Sequence, residues 1–543
     1  DGHFMSTFQF ADDVVLQRGA HGIKFGADIH RNRWNIFNSN SKGGVWGFND
    51  LENFLQAGPV GTSIQVALPE SDNHKGFRQT LMGYYIQDAY RATDSLRLDL
   101  GFRYEIATVI KESYGRTSFM PDWLHDTVLQ RGPMLGSNPS LKNFAPRIGF
   151  SWSPGKSAST LVAGGFGVYY DQFLEYAVDS QKNSAPYNKR VISRNFDSSD
   201  IFPRAQDALL KVTNNTPFGV AILDYPHIST PTVMRYNLNV QQSTKSGIMV
   251  RAGYVGMRGN HLFRGYEANL FPQAVTQADG QVCLPGKIPE TDVERARTPV
   301  NPTCPFAQPG AAGPLNEAFA SLGLNSTDAQ VFYNAFQFAA GYTPKSGFSV
   351  QGNYTFSKSV DDASQPSSGS TTDYSRQYPH MRTLDRGLSE FDIRHRLSIN
   401  YFYGVPKALL KSGAANWILG GWRLGGVVSF RTGTAFHPLI NVVRQNYLFS
   451  ANRPSFAPGA DAHPTSGTSA GCGGVVRAGE ELGGPDRYFD PCAYVAPDPG
   501  RIGNVARGSL IGPSVFTMDM SLQKEFPVTK RTKLQFQIGR AHV

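Results

Sequence analysis

The sequence predicts an all-β chain: an antiparallel transmembrane β-barrel, incomplete, with about sixteen strands and long extracellular loops. Two observations predict this fold class. Apolar and polar residues alternate along many short segments, which is typical of strands that separate an apolar from a polar medium. Short polar turns also alternate with long connections along the chain, as they do in barrels that span a membrane.

The longest regular alternation runs from Leu96 to Glu105. Leucine and aromatic side chains fall on one face of this segment, and arginine, aspartate, glycine and glutamate fall on the other. Gln79–Arg91 also has strand character, and only Ala92–Ser95 separates the two segments, so a β-hairpin is predicted. The same two-faced pattern recurs at Ile148–Trp152, Val162–Tyr170, Tyr236–Val240, Phe348–Phe356, Leu397–Tyr403 and Phe516–Leu522.

The connections between the strands predict that one end of the barrel carries short turns and the other end carries long loops. Short turns are expected at residues 17–21, 92–95, 153–159, 244–247, 343–347 and 526–531, with a longer link at 404–421. Between them lie long connections at about 107–142, 171–230, 259–331, 361–392 and 432–513. Structureless loops of this length argue against a compact soluble domain. Among the expected strands, Gly43–Phe48 and Ser63–Leu68 have the weakest pattern.

Composition supports a β-rich fold and narrows the function classes. Aromatic residues make up 12% of the chain and charged residues only 17%, with 56 glycines, which favours strands and turns. The net charge of +9 is scattered and forms no basic stripe, so no nucleic-acid partner is expected. No segment approaches the roughly 20 apolar residues of a membrane helix.

Catalytic signatures are absent from the sequence. It contains no G-x-S-x-G elbow, no H-E-x-x-H motif and no phosphate-binding loop. The twelve histidines are dispersed, and surface or structural roles are favoured for them over metal ligation. We therefore expect no enzyme activity, no cofactor and no metal site.

The four cysteines form two local pairs, Cys283 with Cys304 and Cys472 with Cys492. Each pair lies in a Gly/Pro-rich stretch, and neither has the C-x-x-C spacing of a zinc or redox site. Two disulfides in an oxidising compartment are predicted, each closing a loop of ~20 residues and contributing roughly 3 kcal/mol in the chain-entropy model. Four unpaired thiols are the alternative.

Both ends of the sequence suggest a partial barrel. Residues 1–537 are predicted to form the barrel domain. Residues 538–543, Ile-Gly-Arg-Ala-His-Val, depart from the alternation and are predicted to be a non-native tail. Because an open sheet edge in lipid leaves backbone groups unpaired, the first and last strands are expected to need further strands.

Several motifs, in order along the chain, resemble the TonB-dependent outer-membrane transporters, specifically the Oar-like branch with a carboxypeptidase-regulatory-like N-terminal domain. They are YYIQDAYRATDSLRLDLGFRYE, NFAPRIGFSWSP, GGFGVYYDQF, YNLNVQQSTKSGIMVRAGYVGMRGNHL, VQGNYTFSKSVDD, DRGLSEFDIRHRLSINYFYGVP, GGWRLGGVVSFRTGTAF and GPSVFTMDMSLQKEF. The resemblance implies a barrel of about 22 strands closed around an N-terminal plug. Nothing in this sequence resembles the plug, the TonB-contacting box, the earliest strands or the terminal strand.

The resemblance also implies a location and partners. We expect a place in the bacterial outer membrane, in contact with its lipid, and energised import of an unidentified solute. The energy-coupling TonB protein would act through the N-terminal part. Two alternatives stay open: a passive outer-membrane porin, and a surface adhesion or assembly protein that acts through its long loops.

Charged residues on the polar faces are the candidate lumen residues. Those on strands could line a solute path, or bind a plug or one another: Arg97, Asp99, Arg103, Arg147 and Arg251. Others follow a strand, in a run where arginines interleave with acids: Asp361, Asp362, Asp385, Arg386 and Asp392. For this acidic run, internal Arg–carboxylate pairing is favoured over a calcium or substrate site. Aromatic residues near strand ends are predicted to form interfacial girdles: Trp152, Tyr169, Tyr170, Tyr254, Tyr401, Tyr403 and Trp422.

Overall fold

The computed structural model folds most of the chain into one antiparallel sheet. It describes residues 2–37, 42–48, 50–56, 62–67, 71–72, 74–155, 159–171, 186–187, 190–196, 204, 219–269, 275–276, 282–283, 315–319, 321–344, 347–364, 382–405, 418, 420–440, 453–474, 476–497, 502–527, 529 and 532–540.

Strands dominate the described residues. They are β1 (Gly2–Arg18), β2 (His21–Phe37), β3 (Val45–Gly47), β4 (Thr62–Ala67), β5 (His74–Arg91), β6 (Leu96–Ala107), β7 (Lys111–Glu112), β8 (Ser118–Phe119), β9 (Gln130–Arg131), β10 (Phe144–Trp152), β11 (Thr160–Tyr170), β12 (Arg190–Phe196), β13 (Gly219–Leu223), β14 (Thr232–Ser243), β15 (Ile248–Glu267), β16 (Val275–Thr276), β17 (Val282–Cys283), β18 (Ser321–Tyr342), β19 (Phe348–Asp361), β20 (Gly387–Leu388), β21 (His395–Gly404), β22 (Trp422–Arg431), β23 (Ala435–Phe436), β24 (Ser455–Phe456), β25 (Tyr494–Val495), β26 (Leu510–Ile511), β27 (Val515–Pro527) and β28 (Lys533–Arg540). Short helices lie in the connections: α1 (Leu51–Leu55), α2 (Arg382–Asp385) and 3-10 helices at Pro139–Lys142 and Pro491–Ala493. No helix in the described ranges is long and apolar enough to cross a membrane.

Seventeen strands belong to the main sheet. Of these, β7, β13 and β20 are short additions at its margin, and the other fourteen form a continuous wall. Each wall strand pairs antiparallel with the next in the order β1, β2, β5, β6, β10, β11, β14, β15, β18, β19, β21, β22, β27 and β28. The fold class predicted from the sequence is therefore confirmed.

The wall does not close on itself within the described residues. There, β1 pairs with β2 alone and β28 with β27 alone, so these two strands are the edges of the sheet. At the C-terminal edge, β28 continues through Ile538 to Arg540. Leu534, Phe536 and Ile538 are all exposed on the same face, so the alternation persists past the point where the sequence predicts its end.

Two expected wall strands are placed elsewhere. The structure has β3 within Gly43–Phe48 and β4 over most of Ser63–Leu68, both in the connection between β2 and β5. In a separate three-stranded sheet, β4 pairs with β3 on one side and with β12 on the other. The sequence-based prediction was wrong here because both segments are shorter than the 9–11 residues that a strand needs to span a membrane.

The two faces of the wall differ as predicted. Large apolar side chains on one face are exposed, with Ile148 at 58%, Leu238 at 50% and Phe516 at 60%. The register places them side by side: Ile148 lies opposite Leu100 on one neighbouring strand and Phe166 on the other. A continuous apolar surface of this extent is stable only against lipid, so this is the membrane-facing side.

Some strands continue far beyond the membrane. With 20 and 22 residues, β15 and β18 exceed the 9–11 residues that cross a bilayer. Their extensions run toward the long-connection end, where the sequence predicted a loop from residue 259 to 331. Two hydrophobic cores lie at this end and attach loops to strand ends. One includes Ile36, Phe77, Met134 and Phe263, and the other includes Met120, Ile222, Phe319 and Leu322.

We expect charge on the membrane-facing side to be costly. Ile148→Arg should lower the free energy of unfolding by about 2–4 kcal/mol in reconstituted protein, because arginine near the midplane must be desolvated or must distort the bilayer. Ser151→Arg, on the same strand but the opposite face, is the matched control and should change it little. Urea titration in lipid vesicles measures both. Equal stability of the two variants would contradict the assignment of faces.

Candidate functional site

The polar face of the wall carries a recess of about 840 Å³, formed by strands from β5 to β18. Four of the five candidate lumen residues on strands line it: Arg97, Asp99, Arg147 and Arg251. Arg103 does not, because its guanidinium pairs with Glu105 on the same strand at 2.5 Å. Side-chain amides complete the lining and offer both donors and acceptors: Gln87, Asn237, Asn239, Gln241 and Gln337.

Arginine dominates the electrostatics of the recess. Arg97 pairs with Asp99 at 2.8 Å, but both side chains are at least half exposed, so the pair is screened by solvent. Arg147 and Arg235 contact the ring of Tyr169, their guanidinium carbons 4.6 and 5.5 Å from its centroid. Arg251 lines the same space. The recess is thus a positively charged, hydrogen-bonding surface suited to a polar or anionic group.

Two residues of this surface differ from what the sequence predicted. Tyr169, expected in an interfacial girdle, belongs to the recess, since it points to the same face as Arg147. Arg235 was not singled out, although its place beside Tyr236 in the alternating segment already puts it on the polar face. The alternation was a sufficient signal for both residues.

The four aspartates of the acidic run are shielded from solvent. Asp361, Asp362, Asp385 and Asp392 are almost fully buried, with at most 5% exposed. They lie at the long-connection end of the wall, where arginines pair with Asp361, Asp362 and Asp385, so their lining of the lumen stays a prediction. Within the described residues, no group of three His, Cys, Asp or Glu side chains could hold a metal ion.

Two buried ion pairs join different loops at this end. Arg507 donates to the carboxylate of Asp361 at 2.5 Å, and neither side chain is more than 1% exposed. Arg453 lies 3.3 Å from Asp385 and also donates to the backbone carbonyls of Leu384 and Val505. Burial lowers the pKa of Arg453, and the carboxylate of Asp385 acts in the opposite direction. These contacts fasten the connection after β22 to the one after β19.

The remaining acids are paired more locally. Asp362 accepts from Arg382 and from the backbone N–H of Gln330. Asp392 accepts the backbone N–H of Ser359 at 2.5 Å. The sequence thus indicated the type of contact, Arg–carboxylate pairing, but not Arg453 and Arg507, which lie in a long connection without periodic pattern. Arg386 is exposed and lies over the ring of Phe332, away from the recess.

One predicted cysteine pair lies within the described residues. Cys472 and Cys492 form a disulfide, with their Cα atoms 5.5 Å apart, in the connection between β22 and β27. Cys304 and the side chain of Cys283 lie outside the described residues. Nearby, Asp490 caps the 3-10 helix that contains Cys492 and accepts a hydrogen bond from Ser469.

The antiparallel wall, the band of exposed apolar side chains on its membrane-facing side and the polar recess on its other face together define an outer-membrane β-barrel protein. The chain belongs to the outer membrane beta barrel domain family, whose model matches residues 2–539. Its location is therefore the bacterial outer membrane. A search of curated proteins finds no match.

Solved structures with a similar fold include several outer-membrane proteins. The outer membrane transporter YddB from Escherichia coli aligns with a TM-score of 0.48 and 10% identity over 99% of this chain and 50% of its own. The siderophore receptor PirA from Acinetobacter baumannii aligns with a TM-score of 0.44 and 9% identity over 99% of this chain and 50% of its own. The FrpB iron transporter (F3-3 variant) from Neisseria meningitidis aligns with a TM-score of 0.41 and 9% identity over 98% of this chain and 50% of its own. The chain thus spans about half the length of these proteins.

We predict that Arg507→Met loosens the outer loops. Removing the guanidinium leaves the buried carboxylate of Asp361 without its counter-charge, which should destabilise the local packing by about 3–5 kcal/mol. Hydrogen exchange at residues 453–474 should accelerate accordingly. Arg487→Met, which removes a partly exposed pair with Glu480 in the same connection, is the control and should leave this exchange unchanged. Similar exchange in both variants would count against a structural role for the buried pair.

The cysteines should form two separate linkages within single loops. Peptide mapping without reduction is expected to recover a Cys472–Cys492 linkage and a Cys283–Cys304 linkage. The local spacing of each pair favours this pattern, because short loops close most easily. Free thiols at any of the four positions, or a linkage between the two loops, would contradict the prediction.

Proposed function

We propose that the chain is the barrel portion of a TonB-dependent outer-membrane importer of the Oar-like branch, in which the arginine-rich recess faces the solute path. The observation that carries the proposal is the recess itself. It lies on the polar face of a membrane-facing wall and combines Arg97, Arg147, Arg235 and Arg251 with five amide side chains. The ordered motifs of the sequence supply the resemblance to that family.

The composition of the recess limits what it can do. Its exposed arginines and amides offer hydrogen bonds to a polar or anionic group, and no group of three His, Cys, Asp or Glu among the described lining residues could hold a metal ion. Such a surface binds and orients, and it either guides a polar solute or holds a plug that closes the lumen. Energy for import would come from the inner membrane through TonB and the N-terminal part of the whole gene product.

The proposal is separated from a passive porin by conductance. We expect the whole gene product, inserted in planar bilayers, to show no steady ion conductance, because a plug fills the lumen. Binding of the purified periplasmic domain of TonB, followed by calorimetry, is expected in the same preparation. Steady conductance without TonB binding would favour the porin. If neither conductance nor TonB binding is observed, an adhesion or assembly role for the outer loops is favoured.

The recess is tested by charge reversal. Arg147→Glu combined with Arg235→Glu should abolish the attraction for anionic groups, since both guanidinium groups flank Tyr169. In cells that depend on this protein for a solute, uptake should fall while the amount of folded protein in the outer membrane stays constant. Arg423→Glu, outside the recess, is the control. Unchanged uptake in the double variant would remove the recess from the solute path.

A further inference from the structure

A second cationic surface lies on the opposite, membrane-facing side of the wall. On three neighbouring strands, the apolar band ends with Tyr254 on β15, Phe336 on β18 and Phe356 on β19, all exposed. The next membrane-facing positions toward the long connections include Arg258 on β15 and Lys358 on β19. Arg258 lies opposite Phe332 in register, and Lys358 lies opposite Asn334.

Arg386 completes this surface from the connection that follows β19. Its guanidinium carbon is 5.0 Å from the centroid of the Phe332 ring, and that of Arg258 is 5.1 Å from the same centroid. Two guanidinium groups therefore share one aromatic ring. Each guanidinium group is attracted to the electron-rich ring, which holds two positive charges at the same level of the wall.

The three cations have no acidic partner among the described residues. Arg258, Lys358 and Arg386 are exposed, and none forms an ion pair there. The nearby carboxylates are already occupied: Asp361 by Arg507, Asp362 by Arg382, and Asp392 by Ser359 and Arg394. A cavity of about 220 Å³ opens beside Arg386 and Phe332, and its lining also includes Arg382 with the paired carboxylates of Asp361 and Asp362.

We propose that Arg258, Lys358 and Arg386 bind the phosphate groups of a glycolipid in the outer leaflet of the outer membrane. The long connections mark the extracellular end, so these residues lie where the headgroups of that leaflet begin. Guanidinium groups bind phosphate through paired hydrogen bonds, and the ring of Phe332 holds two of them at this level. The apolar band directly below, at Phe336 and Phe356, provides the surface for acyl chains.

The test is lipid binding by the purified protein in neutral detergent, counted by native mass spectrometry. The probes are bisphosphorylated lipid A and the same lipid A without its phosphates. We expect the phosphorylated form to bind more tightly. Arg258→Gln combined with Arg386→Gln should weaken that binding by about tenfold or more, the effect of losing charge-assisted hydrogen bonds. Lys358→Gln alone should give a smaller loss in the same direction.

The control variant carries Arg396→Gln and Arg431→Gln, which remove two exposed arginines on the polar face. It should bind phosphorylated lipid A like the unmodified protein. Heat-modifiable gel mobility verifies that each variant is folded. Equal binding of the two lipids, or equal loss in the control variant, would overturn the proposal. Competition by inorganic phosphate at concentrations equal to the lipid would reveal a free-anion site and would also overturn it.

Discussion

The pairing of backbone groups in hydrocarbon is the constraint on which this structure depends. An unpaired N–H or C=O in the bilayer core costs several kcal/mol, so a chain that crosses with strands must pair each strand with its neighbours. The fourteen-strand meander meets this requirement with local antiparallel pairs at every strand except β1 and β28, which are its edges within the described residues. Because pairing fixes the pleat, each residue is assigned to lipid or to lumen by its position alone. The apolar band and the recess are two results of that one requirement.

The sequence alone was sufficient to predict every feature that depends on the alternation of side chains along a strand, which has a period of two residues. Leu98 and Phe150 could be assigned to the apolar face, and Arg97 and Arg147 to the polar face, because the pattern is local and repeated. The apolar/polar alternation is lost where both faces of a strand are buried. Beyond Arg258, β15 contains register shifts near Leu262, with His261 at a φ of 57°, and from Phe263 to Glu267 it is largely buried on both sides. The alternation disappears there, and the strand was taken for a loop.

The outer contacts could not be predicted because their partners have no local pattern. The acidic run around Asp361 indicated arginine pairing, but Arg507 and Arg453 are single residues in a long Gly/Pro-rich connection. A carboxylate that lies after a strand can face the lumen or be covered by another loop, and sequence alone does not distinguish these outcomes. The cationic group at Arg258 and Lys358 was equally hidden, because each residue is one polar exception on an apolar face.

The Arg507–Asp361 pair also bears on the order in which the molecule assembles. The two residues are 146 positions apart, and the pair joins the last residue of β19 to the connection after β22. Hairpins such as β14–β15 close over a few residues and need little loss of chain entropy, whereas this contact requires a long loop to close. We therefore expect this contact to form later than the hairpins of the wall. Until it forms, the carboxylate of Asp361, which is buried against Arg507 in the folded protein, is expected to be hydrated.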